Sequence, residues 1–123
     1  MASLDYKADL KGGPDLVSHL GAPEVPIIEN IHSKVYAAAS QPEALNMDTW
    51  HTCETTHCRA GWVVALAGKA GKALEQFHNT PLAAQLIYHA SSPHLRVSPP
   101  RFYETGVMAL ADMKRLADLE QAS

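Results

Sequence analysis

Residues 50–68 read WHTCETTHCRAGWVVALAG and contain both cysteines, both tryptophans and two of the seven histidines of the chain. A threonine at position 55 or 56 is suited to cap a helix by accepting a hydrogen bond from a free amide. From Ala60 onward the stretch is apolar on almost every side, and a helix of that kind is buried. The stretch therefore predicts a central helix over 57–70, with Cys58 in its first turn.

Three further windows combine apolar residues at helical spacing with start signals. They are 27–40, 80–91 and 107–121, and Thr80 is the expected N-cap of the second. We therefore predict an all-α fold, a compact bundle of about four main helices around a buried central helix. Residues 27–123 form this single helical domain. Residues 1–26 contain closely spaced glycines and prolines, which predict an irregular N-terminal arm.

The spacing of residues along each helix also predicts which side chains are buried and which face water. Gly61, Ala65 and Gly68 lie at i, i+4 and i+7, which predicts a narrow strip for the close approach of another helix. His32 lies off the apolar stripe of the first helix, and Asp112 falls in the charged face of the last helix, so both are expected to face water. Leu82 is expected on the inner face of its helix, with His89 bordering that face.

The proline-rich connection from residue 91 to 101 is expected to be extended. Within it, residues 95–97 have the composition of a short strand. Phe102 and Tyr103 follow the prolines and are expected to anchor the connection to the core.

Charge and hydropathy argue against nucleic-acid binding and against a membrane-spanning segment. The chain has 123 residues and a net charge of -3, and its ten basic residues are scattered, so it lacks the basic patch that binds nucleic acid. The longest apolar run, 60–68, is too short to span a bilayer, and the first twenty residues carry charges where a signal peptide has an apolar core. We expect a cytoplasmic protein with reduced cysteines.

Four side chains within eight residues belong to the types that bind zinc: His51, Cys53, His57 and Cys58. Structural zinc sites usually draw on two ligand pairs separated by a longer loop, and this spacing differs. We therefore expect no cofactor, and zinc stays open as the metal that this donor set would take.

The same cysteines allow two other chemistries. Cys58 in the first turn of a helix would meet free amides that favour a thiolate, and His57, His51 or His89 would supply a base. That arrangement would make the protein a thiol-dependent hydrolase or transferase. Cys53 and Cys58 could also close a disulfide loop, although they lack the Cys-x-x-Cys spacing of catalytic dithiols.

A purely structural role is the remaining interpretation of the motif. In it the threonines cap a helix, the tryptophans and Cys58 fill the core, and His51 and His57 bond to the backbone of a turn.

The motif also resembles a known set of proteins. Residues 45–47, 50–53 and 55–62, with 83–84 and 86–88 downstream, resemble small uncharacterised bacterial and bacteriophage proteins that share the motif Trp-His-Thr-Cys-x-Thr-Thr-His-Cys-Arg-Ala-Gly-Trp. The resemblance covers roughly residues 24–118. It implies a bacterial or phage setting in the cytosol and brings no activity, cofactor or catalytic residue.

We predict a small soluble helical binding or adaptor module that is not an enzyme and is associated with phage or mobile elements. A protein is the expected partner, and neither nucleic acid nor a membrane is expected. The alternatives are the thiol enzyme using Cys58 and a small zinc-binding domain. The sequence leaves the oligomeric state open.

Overall fold

The computed structural model describes residues 21–122, and within them the fold is helical, as predicted. The helices are α1 (Ile31–Ala39), α2 (Arg59–Leu66), α3 (Gly68–Phe77), α4 (Thr80–Ser91) and α5 (Gly106–Ala122). A 3₁₀ helix, Pro99–Tyr103, precedes α5, and a short antiparallel hairpin of β1 (His51–Cys53) and β2 (Thr56–His57) precedes α2.

Helix α2 is the centre of the bundle. It packs against α1, α3 and α4, and it buries Ala60, Val63 and Val64 among them. Helices α1 and α5 pack along each other at one side. The predicted buried central helix is therefore confirmed.

The predicted bounds of the central helix, 57–70, are wrong at both ends. Thr56 and His57 pair with β1 instead of starting the helix, and Cys58 is the N-cap residue. At the other end the chain turns at Gly68, whose φ of 66° lies in the left-handed region that glycine tolerates. Helix α3 then folds back so closely that a Cβ on Gly71 would lie 2.4 Å from the carbonyl oxygen of Val64.

The predicted glycine strip is also wrong. Ala65 and Gly68 are exposed. Gly61 does allow a close approach, but its neighbour is the hairpin: a Cβ there would lie 2.0 Å from the carbonyl oxygen of Trp50.

Helix α1 begins later than predicted, because Asn30 has a left-handed φ of 56° and residues 22–28 have no regular structure. Its first backbone N–H groups donate hydrogen bonds to a side chain of α5 instead of to a local cap. Glu120 accepts hydrogen bonds from the backbone N–H of His32 at 3.1 Å and from that of Ser33 at 2.8 Å. The Ser33 hydroxyl also donates to Glu120, at 2.7 Å.

The remaining elements agree with the sequence in extent but differ in detail. Helix α4 has the predicted bounds, but Asn79 is its N-cap and accepts a hydrogen bond from the Leu82 N–H. The inner face of α4 is formed by Ala83, Ala84, Ile87 and Tyr88. Leu82 is 43% exposed, contrary to prediction. Residues 95–97 form no strand, and Phe102 alone of the two aromatics is buried.

His32 was predicted to face water and is instead buried. Its ring stacks on Tyr88 with centroids 5.4 Å apart, and its Nε2 lies 2.8 Å from the Leu95 carbonyl oxygen. Burial lowers the pKa of His32. The face of α1 that carries His32 is therefore part of the core.

Asp112 was also predicted to face water and is instead buried. Its carboxylate accepts a 2.9 Å hydrogen bond from Arg59, whose side chain is fully buried and also donates to the hydroxyl of Tyr88. Burial opposes ionisation of Asp112, but hydrogen bonds from Arg115 and Arg59 outweigh it and lower the pKa of Asp112. The prediction failed because the buried partner, Arg59, lies on α2, and the sequence of α5 alone shows only Arg115.

The helical body extends slightly before the predicted domain boundary, since Val25 packs against the core. The predicted arm, residues 1–26, otherwise lies mostly outside the described residues, which start at 21. Among residues 21–122, every helix is too short or too polar to cross a membrane.

Candidate functional site

The motif folds as a hairpin that backbone hydrogen bonds join to residues 44–46 and to the start of α2. The backbone of His57 pairs with residues 44–46 through bonds of 3.1 and 3.0 Å. The N–H of Cys58 donates to the Trp50 carbonyl at 3.1 Å. The start of α2 and both hairpin strands are therefore held in one rigid unit.

A chain of hydrogen bonds links α3 to the hairpin through two histidines. Glu75 Oε2 lies 2.6 Å from His51 Nε2, and His51 Nδ1 lies 2.7 Å from His57 Nδ1. His57 Nε2 lies 3.0 Å from the carbonyl oxygen of Glu54. The Thr80 hydroxyl also donates to Glu75 Oε2, at 2.7 Å, so the start of α4 joins the same chain.

The hydrogen bonds through His51 and His57 limit how many protons these groups can hold. The bonds to Glu75 and to the Glu54 carbonyl each need an N–H, and the bond between the rings needs one more. Two neutral imidazoles carry only two such protons. All three bonds therefore form together only when His51, His57 and Glu75 hold three protons between them, one more than two neutral imidazoles carry. Burial lowers the pKa of His57.

Cys58 is buried at the start of α2 and caps that helix. It is 1% exposed, and its sulfur accepts a 3.3 Å hydrogen bond from the Gly61 N–H as the cap of α2. Burial raises the pKa of Cys58. Within residues 21–122 no histidine forms a hydrogen bond with its thiol.

The proposed bases for Cys58 are placed elsewhere or already used. His89 is exposed on α4. Both ring nitrogens of His51 and of His57 are engaged in the chain to Glu75. The structure thus does not assemble Cys58, His57 and His89 into a nucleophile and base.

Cys53 is the accessible thiol. It is exposed, and a hydrogen bond with the Thr55 hydroxyl, at 3.6 Å, lowers the pKa of Cys53 to about 7. Both cysteines are free. A thiolate of this kind reacts readily with thiol reagents.

The four predicted metal ligands do not converge. His51 and His57 are in direct contact, which leaves no room for an ion between their Nδ1 atoms, whereas Cys53 faces solvent and Cys58 faces Gly61. No group of three or more His, Cys, Asp and Glu side chains suited to a metal occurs in the part of the chain that the structure describes.

An open groove lies beside the hairpin. It has a volume of about 650 Å³ and is lined by residues 47–51, Thr80, Phe102 and Tyr103. Trp50 is 36% and Tyr103 68% exposed, and their rings meet edge to face with centroids 5.8 Å apart. A second depression of about 630 Å³ adjoins it and shares Met47, Asp48 and Tyr103.

Sequence reasoning missed several residues of this region. No sequence pattern indicates a role for Glu75, and Tyr103 was expected to anchor the chain instead of facing solvent. The pair of aromatics after the prolines marked this segment, but only Phe102 of the two is buried. Comparisons with models of protein families, with curated proteins and with solved structures gave no match to this chain.

Proposed function

We propose that this chain is a binding module, without enzymatic activity of its own, that receives a segment of a protein partner in the groove lined by Trp50 and Tyr103. The observation that carries the proposal is the pair of solvent-open aromatic rings at the groove. Tyrosine and tryptophan are enriched in protein interfaces, where large rigid rings contribute much of the binding energy. A folded domain gains nothing for its own core from Tyr103 at 68% exposure.

The hairpin supports the same proposal. A rigid wall lowers the entropic cost of binding, and residues 50–58 are fixed by backbone bonds and by the chain from Glu75 to His57. The burial of Cys58 and the engagement of both histidines favour binding over thiol chemistry. A cytoplasmic bacterial or phage setting, which the resemblance implies, stays part of this proposal.

The proposal is tested by selecting binders from a random peptide library displayed on phage against the immobilised full chain. We expect enrichment on the native protein and its loss on Tyr103→Ser, which removes an exposed ring without touching the core. Trp50→Ala gives a second, independent loss. Phe77→Ser is the matched control, because Phe77 is an exposed aromatic (48%) at the end of α3 and does not line the groove. Enrichment that survives both groove variants would disprove the site.

Thiol chemistry is tested separately in a Cys53→Ser background, which leaves Cys58 as the one cysteine. Because Cys58 is buried and its pKa is raised, we expect a thiol reagent to modify it slowly in native protein and rapidly in denaturant. In the parent chain Cys53 should react rapidly. Fast stoichiometric modification of native Cys58 would instead promote the thiol-enzyme alternative.

A further inference from the structure

The two depressions beside Tyr103 are negatively charged. Asp48 lines both, and Glu43 and Glu104 line the second. Among the described residues around them, no lysine or arginine contributes to the lining. Asp48 and Glu43 are exposed and form no ion pair within residues 21–122, whereas the charge of Glu104 is balanced by Arg101 at 2.6 Å.

His51 does not cancel this charge. It lines the groove, but its Nε2 faces Glu75 at 2.6 Å, so any proton that it holds is balanced by that carboxylate. Asp48 is therefore the uncompensated acid among the described residues that line the groove with Trp50 and Tyr103.

Aromatic rings beside a carboxylate suit one kind of side chain. A guanidinium or ammonium is attracted to the face of a tryptophan or tyrosine ring and to an adjacent carboxylate at the same time. Met47 and Phe102 also line the groove and give it an apolar part, and the Met47 sulfur is fixed there by a 3.4 Å hydrogen bond from the Arg59 N–H. The groove thus offers a place for a cation next to a place for an apolar side chain.

We infer that the partner segment carries an arginine or lysine that stacks on the Trp50 and Tyr103 rings, pairs with Asp48, and is followed by an apolar side chain seated over Met47. This inference rests on the proposed function and names the chemistry of the partner. The overall charge of -3 acts in the same direction and favours encounter with a basic segment.

The test uses the peptides enriched on the full chain and their chemically altered copies. Replacing the shared arginine of a selected peptide by citrulline, which keeps its shape but removes its charge, or a shared lysine by Nε-acetyllysine, which removes its charge, should weaken binding about tenfold. Asp48→Asn in the protein should weaken the basic peptide about two- to fivefold and leave the uncharged copy unaffected. Asp118→Asn is the matched control, because Asp118 is an exposed acid on α5. Affinity is read from quenching of tryptophan fluorescence.

The outcomes separate the two proposals. Peptides that need Tyr103 but show no preference for a basic residue would overturn this inference and leave the groove as a binding site. Absence of any enriched peptide, or enrichment indifferent to Tyr103→Ser, would overturn both. Self-association of the chain that is abolished by Tyr103→Ser would assign the groove to a second copy and would also overturn the basic partner.

Discussion

At the scale of single residues, the buried pair of Arg59 and Asp112 is the arrangement most sensitive to substitution. Asp112→Ala would leave the fully buried Arg59 cation without its counterion, which typically costs about 3–5 kcal/mol. Asp118→Ala on the same helix removes an exposed partner of Lys114 and should cost less than about 1 kcal/mol. Urea unfolding of both variants measures the difference, and equal losses would contradict the burial of Arg59.

Gly61 gives a second prediction at this scale. A Cβ there would lie 2.0 Å from the Trp50 carbonyl oxygen, so the hairpin must shift. We expect Gly61→Ala to lower the free energy of unfolding by about 1–3 kcal/mol. Gly106→Ala is the control, because its Cβ would meet only Leu45 at 3.9 Å, and we expect no loss. Thermal unfolding of the two variants measures the difference, and equal melting temperatures would contradict the close approach of Trp50 to Gly61.

The residue-scale failures of prediction share one cause. Asp112 was placed outside because its helix carries other charges, and His32 because it lies off the apolar stripe. Each is buried against a partner far along the chain, Asp112 against Arg59 and His32 against Tyr88. Periodicity reports which face of a helix is apolar, but it contains no information about a polar partner brought in by the fold.

At the scale of elements, the bonds from Glu75 join α3, the hairpin and α4. Glu75→Ala removes the acceptor of both His51 and Thr80. We expect a loss of about 1–3 kcal/mol, because two donors lose their partner. Gln76→Ala, the exposed neighbour on α3, should be nearly neutral. The measurement is chemical denaturation at neutral pH, and a neutral Glu75→Ala would show that the chain of hydrogen bonds contributes nothing to stability.

The elements themselves were largely predictable, and the exceptions are local. Helical spacing located α4 and α5 well, and Pro81 in the first turn of α4 marked its start. The hairpin was missed because Thr55 and Thr56 are as suitable for a cap as for a strand, and pairing with β1 decides between them. The break at Gly68 was missed because glycine is tolerated inside a helix as well as at its end.

At the scale of the whole molecule, stability should depend on pH through buried histidine. Burial lowers the folded-state pKa of His32 below its usual value of 6.5, so folding favours the neutral ring. The stabilising contribution is therefore complete above pH 6.5 and is lost as pH falls through the folded-state pKa. We expect the melting temperature to be level from pH 8 to about 7 and to decline towards pH 5.

A matched pair of variants assigns this decline. His32→Gln cannot titrate and should flatten the slope between about pH 7 and 5, even if the variant is less stable throughout. His89→Gln removes an exposed histidine and should keep the parent slope. An unchanged slope in His32→Gln would show that other groups cause the decline, among them His57, whose pKa burial also lowers.

The cap that α5 lends to α1 bears on the order in which the chain can fold during synthesis. Asn30 makes no side-chain cap, and Glu120, which serves the His32 amide, lies 88 residues further along the chain. During synthesis α1 leaves the ribosome before Glu120 does, and a domain generally folds as one unit. The backbone N–H groups at the start of α1 therefore lack their Glu120 acceptor until α5 has left the exit tunnel.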